Sequence, residues 1–411
     1  VSITKKTQKG KSNQVIFITA LVTAFSLLGD SMLYIVLPIY WKEIGLDSFW
    51  QIGILLSINR FVRLPFNPIA GWVYKRISLK TGMMIAVILG TITTLGYGIF
   101  QGFMAWLILR MIWGVAWSFF RIGGLSIVAH HAEESRRGEA MGLYNGIYRL
   151  GSLFGMLLGG ILVPLVGLSP VAIIFGLLTL IGLPLLSFSL KTEDRGKREE
   201  TNAERRRFFP QLSRLKVLVI ISGFFVTMLI QGVFTSTLSS VIEFFYGSSI
   251  SLFGIVVSVT LLSGGIQAVR WAWEPFLGRK FGLWSDGPRG RFPLYIGSLF
   301  LAAISFGLIS SNLPFWLWII IVLVSMITAT SITTITDALC LDATKNINVV
   351  SFLTLYTVVQ DVGAALGPFL SYFIIEFEGG YYYLYWGGGF IFALLGVLWV
   401  VEYYKNHHKV R

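Results

Sequence analysis

The sequence predicts an all-α membrane protein with twelve transmembrane helices in two pseudo-symmetric six-helix bundles. Three observations carry this prediction. Of 411 residues, 55% are hydrophobic and only 13% charged, where a soluble domain carries about 25% charged residues. Apolar stretches long enough to cross a bilayer, about 20 residues each, succeed one another along the chain. The second half repeats landmarks of the first.

The spans read as 14–41, 49–74, 81–102, 104–130, 138–167, 170–190, 217–246, 250–277, 292–311, 314–340, 347–376 and 380–403. Helices are expected because every backbone N–H and C=O in lipid must be paired within the protein, and a barrel would show short alternating strands. Stretches longer than the bilayer is thick should tilt. The first apolar stretch exceeds the roughly 7–15 residues of a signal peptide's apolar region, so it reads as a span. The longest polar stretch, 191–216, separates the spans six and six. It reads as a cytoplasmic linker, with a short amphipathic helix at 208–215, between an N-terminal bundle at 1–190 and a C-terminal bundle at 217–411.

Orientation follows from basic residues in loops. By this map 26 of the 33 Lys and Arg fall on one side, and Lys42 alone on the other. Both termini and the linker are therefore expected in the cytoplasm, in a multi-pass protein of the plasma membrane. This placement also accounts for the net charge of +13. The basic residues form short inter-span loops without interleaved aromatics, so a nucleic-acid partner is not expected.

The repeat is specific. Gly53-Ile-Leu-Leu-Ser57 is followed by Val62-Arg63, Pro68 and Gly71; Gly254-Ile-Val-Val-Ser258 is followed by Val269-Arg270, Pro275 and Gly278. The V-R-x4-P-x2-G spacing is identical. Gly151-x3-Gly155 likewise matches Gly363-x3-Gly367. Repeated halves suit alternating access around a site at the repeat interface.

A charge at mid-span costs roughly 2.5–3.5 kcal/mol on insertion scales, so ionisable residues there mark function. Ten lie within the predicted spans: Arg60, Arg63, Arg110, Arg121, Arg149, Arg270, Asp30, Glu274, Asp337 and Asp361. A carboxyl group kept from water takes up a proton more readily, which makes Asp30 the leading proton carrier. Arginine stays charged, and so Arg110 or Arg121 is the expected partner that holds Asp30 ionised. The alternative is a permanent ion pair between helices. Asp337 and Asp361 are candidates for a second protonation site.

Arg63 and Arg270, equivalent in the repeat, could clamp an anionic group with their planar forks; Glu274, four residues after Arg270, offers local pairing instead. Arg60, Arg149, Gln231 and Trp117 join them as candidate substrate-binding residues. Gln267 and Trp271 could line the same cavity. Six arginines against four acids favour an anionic or amphipathic solute.

Enzyme chemistry finds little support. Cys340 is the one cysteine, there are 4 His, and no phosphate-binding G-x4-G-K-[ST] loop or nucleophile–base set occurs. No cofactor or metal is expected.

Several motifs resemble those of the major facilitator superfamily, drug/proton antiporter-like branch. After the second span, Gly71, Arg76 and Lys80 fit its G-x3-D-R-x-G-R-K gating motif, with Lys75 and Ser78 in place of Asp and Gly; the second-half loop keeps its acid as Asp286. Arg110-x3-Gly114 is similar to a motif that the family links to proton coupling. Gly151-x3-Gly155-x3-Gly159-Gly160 is similar to the antiporter motif with Met156 replacing Pro, while Gly367-Pro368 keeps the Pro. Arg136-Arg137-Gly138 resembles the loop before the fifth span. The resemblance implies a monomeric secondary transporter, driven by protons and exporting a small organic or amphipathic solute. The rival readings are an organic-anion or lipid-like amphiphile transporter, and a non-transporting receptor or scaffold on the same fold.

Overall fold

The computed structural model describes residues 2–132, 137–190, 213–252, 254–287, 290–343 and 349–408. The helices in the first half are α1 (Ser2–Tyr40), α2 (Phe49–Tyr74), α3 (Leu79–Ile99), α4 (Phe103–His131), α5 (Arg137–Val166), α6 (Leu168–Leu180) and α7 (Gly182–Ser189). The second half has α8 (Arg214–Thr227), a π-helix (Met228–Phe234), α9 (Thr235–Tyr246), strands β1 (Ser249–Leu252) and β2 (Ile255–Ser258), α10 (Val259–Ser285), α11 (Arg291–Leu308), α12 (Phe315–Ala343), α13 (Val349–Ile375) and α14 (Gly380–His408). Most of the 191–216 linker and of the amphipathic helix at 208–215 lie outside the described residues, as does Arg136.

Local chemistry explains the boundaries. Ser78 caps α3, its Oγ accepting from the Thr81 N–H at 3.1 Å. Gly102 and Gly167 adopt φ of 89° and 87°, a left-handed conformation that glycine takes without steric cost, and so turn the chain between spans. Helices α6 and α7 form one apolar span, Leu168–Ser189, interrupted at Ile181 because Pro184 has no N–H to give the Leu180 carbonyl.

One feature corrects the span map. The eighth predicted span, 250–277, starts in an antiparallel hairpin pairing Ser249–Leu252 with Ile255–Ser258, and its helix runs from Val259 to Ser285. Gly254 at φ 81° makes the turn, and β-branched Ile255, Val256 and Val257 favour strand. The apolar run alone could not separate the two forms. Among the described residues, ten helices are long and apolar enough, by length and composition, to cross a membrane. Helices α2 and α10, which carry the repeated V-R-x4-P-x2-G pattern, are not among them.

By proximity the chain forms two units. The first comprises Val1–Asn202 with Ser249–Trp271; the second comprises Ala203–Ser248 with Ala272–Arg411. In the first, α1 packs on α5, α2 on α4, and α3 on α4 and α6. Gly151, Gly155 and Gly159 lie against Ala24, Leu28 and Met32, a small residue every fourth position letting two backbones close. In the second, α13 packs on α8 and the π-helix, and α11 packs on α12 and α14. There Gly363 meets Phe224, and Gly367 meets Met228 and Gly232. The Gly-x3-Gly pairs of the two halves thus make equivalent contacts, the fifth span on the first and the eleventh on the seventh.

Candidate functional site

Asp30, in the second half of α1, is 6% exposed, and Arg110 of α4 is fully buried. The Arg110 Nη1 donates to Asp30 Oδ1, while its Nε donates to the Leu55 carbonyl of α2 at 2.7 Å. Asn59 Nδ2, one turn beyond Leu55, donates to the same Asp30 oxygen at 3.4 Å. Tyr97 of α3 and Tyr34 of α1 also interact electrostatically with the guanidinium. Arg60 Nε donates to the Tyr34 hydroxyl at 3.5 Å. Four helices therefore converge on one carboxylate. Burial of a charge pair is tolerated only with such additional hydrogen bonds.

Of the two arginines expected beside Asp30, the structure brings Arg110; Arg121 instead interacts with Tyr144 of α5. Asn59, Tyr34 and the Leu55 carbonyl were not anticipated. Asn59 was detectable as a polar side chain at mid-span, next to Arg60; a backbone carbonyl gives no sequence signal.

A second cluster in the same unit joins α2, α4, α5 and α10. The Arg63 guanidinium lies 5.1 Å from the Trp117 ring centre, and Trp117 meets Tyr148 edge-on at 6.0 Å. Next along α5, Arg149 lies 5.9 Å from the Trp271 ring. Arg270 approaches that ring at 5.7 Å. Arg63 and Arg270 are buried, and Arg149 is exposed. Helices α5 and α10 are held together nearby, where Thr260 Oγ1 donates to the Gly160 carbonyl at 3.1 Å and Gly264 stands against Met156. Glu274 is half-buried one turn after Arg270.

In the second unit the Tyr356 hydroxyl donates to Asp337 Oδ1 at 2.9 Å, and Gln360 Nε2 donates to it at 3.4 Å. Asp361 is half-buried on α13, and Gln231 projects exposed from the π-helix. Among the loop residues, Arg76 stacks on Trp72 at 3.7 Å, Lys80 Nζ donates to the Ser187 carbonyl at 3.0 Å, and Gly71 borders open space. Asp286 accepts Arg291 at 3.0 Å, and Arg291 Nε also donates to Asp342 at 2.7 Å, tying the start of α11 to the end of α12. Pro368 lies within α13, beside the Gly367 contact.

These features define a multi-pass helical membrane protein that carries charged side chains inside its spans. The chain belongs to the Major Facilitator Superfamily, whose model matches residues 19–367. It is a membrane transporter of that family. It is 23% identical over 379 residues to the multidrug resistance protein MdtG of Proteus mirabilis, covering 90% of this chain and 92% of that protein. A shorter likeness, 28% over 132 residues, covers 32% of this chain and 25% of the chromaffin granule amine transporter of Rattus norvegicus. Among solved structures, a bacterial homologue of the human lysosomal transporter Spinster, inward-facing and unoccupied, superposes with a TM-score of 0.72 at 15% identity over 95% of each chain. A peptide transporter in complex with sulfate gives 0.73 at 14% identity, over 95% of this chain and 94% of that one. Such distant likenesses show the fold.

Proposed function

We propose that the protein is a secondary active transporter working by alternating access, and that it couples proton movement to the export of a small organic or amphipathic solute. The observation that carries the reading is the buried Asp30–Arg110 pair with Asn59 on the same oxygen. Protonation of Asp30 would neutralise the carboxylate and release Arg110 from it, so the pair has two states of different charge. The guanidinium keeps its charge in both. Proton uptake from one side and loss to the other would thus alternate the contacts among α1, α2 and α4. Asp337, held by Tyr356 and Gln360, is the second candidate carrier, with Asp361 on the next helix as a further one.

The export direction draws on the similarity to a multidrug resistance protein. In this reading the bundles are 1–190 and 217–411 with a linker at 191–216. The protein is a monomer in the plasma membrane, both termini are cytoplasmic, and Gly71, Arg76, Lys80 and Asp286 gate the cytoplasmic side. A second reading, transport of an organic anion or lipid-like amphiphile, is favoured by the guanidinium–indole cluster around Trp117 and Trp271.

The test is a proteoliposome assay with an imposed pH gradient and matched anionic and cationic solutes. Gradient-dependent movement of at least one solute, abolished by a protonophore, is the expected result. Solute movement indifferent to the gradient would contradict proton coupling.

A further inference from the structure

We infer that the seam between α10 and α5 is a recognition site for the oxyanion of an amphipathic ligand — a carboxylate or phosphate — with its apolar body on the Trp117 and Trp271 rings. The inference deepens the transport reading and rests on it only in making that ligand the cargo.

On α10 the side chains at 260, 264, 267 and 271 recur at helical spacing along one stripe. Thr260 and Gly264 touch α5 at Gly160 and Met156, and Trp271 meets Arg149 further along the same helix. Gln267 falls between those contacts. It is fully buried, yet neither its Nε2 nor its Oε1 has a hydrogen-bond partner among the described residues. The indole N–H groups of Trp117 and Trp271 are likewise buried without a partner. Buried polar atoms are almost always paired, and each left alone costs roughly 1–3 kcal/mol. Gln267 and Trp271, one turn apart on α10, thus carry two such donors on the stripe that faces α5, and these call for a ligand with acceptors.

Charge gives the sign. Arg63, Arg149 and Arg270 stand over the same two indoles, and guanidinium forks match carboxylate and phosphate geometry. Beside Trp271 a cationic ligand would meet the Arg149 and Arg270 guanidiniums, offset in part by Glu274 one turn along α10, whereas an oxyanion would meet guanidinium, amide and indole donors together. The indole faces beside these donors supply apolar area for a hydrophobic tail. A free organic anion and an anionic lipid headgroup share this chemistry.

The experiment uses the full chain in phosphatidylcholine nanodiscs and measures binding by calorimetry. The probes are decyl phosphate, inorganic phosphate and decyltrimethylammonium. Saturable binding of decyl phosphate is expected, with weaker binding of inorganic phosphate and none of the cation. Arg149→Gln, at an exposed position, and Gln267→Leu should each weaken decyl phosphate binding at least tenfold, with wild-type melting temperatures. If Gln267→Leu lowers the melting temperature, Trp271→Phe, which removes only the indole donor, takes its place.

Nanodiscs containing phosphatidylglycerol separate the two sources. Loss of decyl phosphate binding there assigns the site to a lipid headgroup, and retention assigns it to a free solute. Binding equal to wild type in the Arg149 and Gln267 variants, or equal affinity for the cation, would overturn the site. Binding without any transport of decyl phosphate in proteoliposomes would leave the site standing and remove the transport reading of it.

Discussion

At the scale of single residues, removing the Arg110 guanidinium strands the Asp30 carboxylate in a buried environment. Breaking a buried pair from one side costs about 3–5 kcal/mol. Arg110→Ala is therefore expected to lower the melting temperature of the purified protein sharply. Arg110→Lys should not restore it, because the three N–H groups of an ammonium share one nitrogen, whereas the guanidinium reaches the Leu55 carbonyl from Nε and Asp30 from Nη1 in a fixed planar fork. The double variant Asp30→Asn with Arg110→Gln should recover part of the loss, since no unpaired charge remains. With the single variants Asp30→Asn and Arg110→Gln measured beside the double, additive losses would show that the two residues do not interact.

The two members of this pair were readable from the chain, because charge at bilayer depth is rare enough to mark them. Which arginine Asp30 would choose was not readable: Arg110 and Arg121 sit on the same helix, and only the packing of α1, α2 and α4 brings one of them within reach. Gln267 was visible as a polar residue in a span, but its complete burial was not.

At the scale of elements, glycine spacing carries the helix contacts. A Cβ added at Gly155 would come within 2.6 Å of the Leu28 carbonyl oxygen, whereas one added at Gly71 meets nothing within 4 Å. Gly155→Leu should therefore destabilise the protein by roughly 1–3 kcal/mol, the range for overpacked sites, and Gly71→Ala should leave it unchanged. Thermal unfolding of the two variants side by side checks the contrast; equal melting temperatures would contradict the packing described. Helix α2 occupies 49–74 as its apolar run and flanking polar residues indicated. The hairpin before α10 escaped notice because Gly254-Ile-Val-Val-Ser258 copies a helical stretch of α2 in sequence. It differs where β-branched residues follow a glycine in the left-handed region. The π-helix at Met228–Phe234 carries no compositional mark either. Within it Gly232 packs against Gly367 of α13.

At the scale of the whole molecule, the bias of basic residues predicts sidedness. In a Cys340→Ser background, Lys42→Cys and Lys405→Cys, both exposed, should react with a membrane-impermeant maleimide from opposite sides of the membrane. Labelling of both from the same side would overturn the orientation. The fold as a whole was legible because bilayer thickness sets span length and because the repeat left matching landmarks. The substrate was not, since solute recognition depends on which side chains the packing brings together.

The most direct measurement compares two assays of Asp30→Asn in proteoliposomes. One is solute exchange at equal pH on both sides, and the other is transport driven by an imposed pH gradient. If Asp30 carries the proton, exchange persists while gradient-driven transport disappears. Gradient-driven transport at the wild-type level would contradict the account.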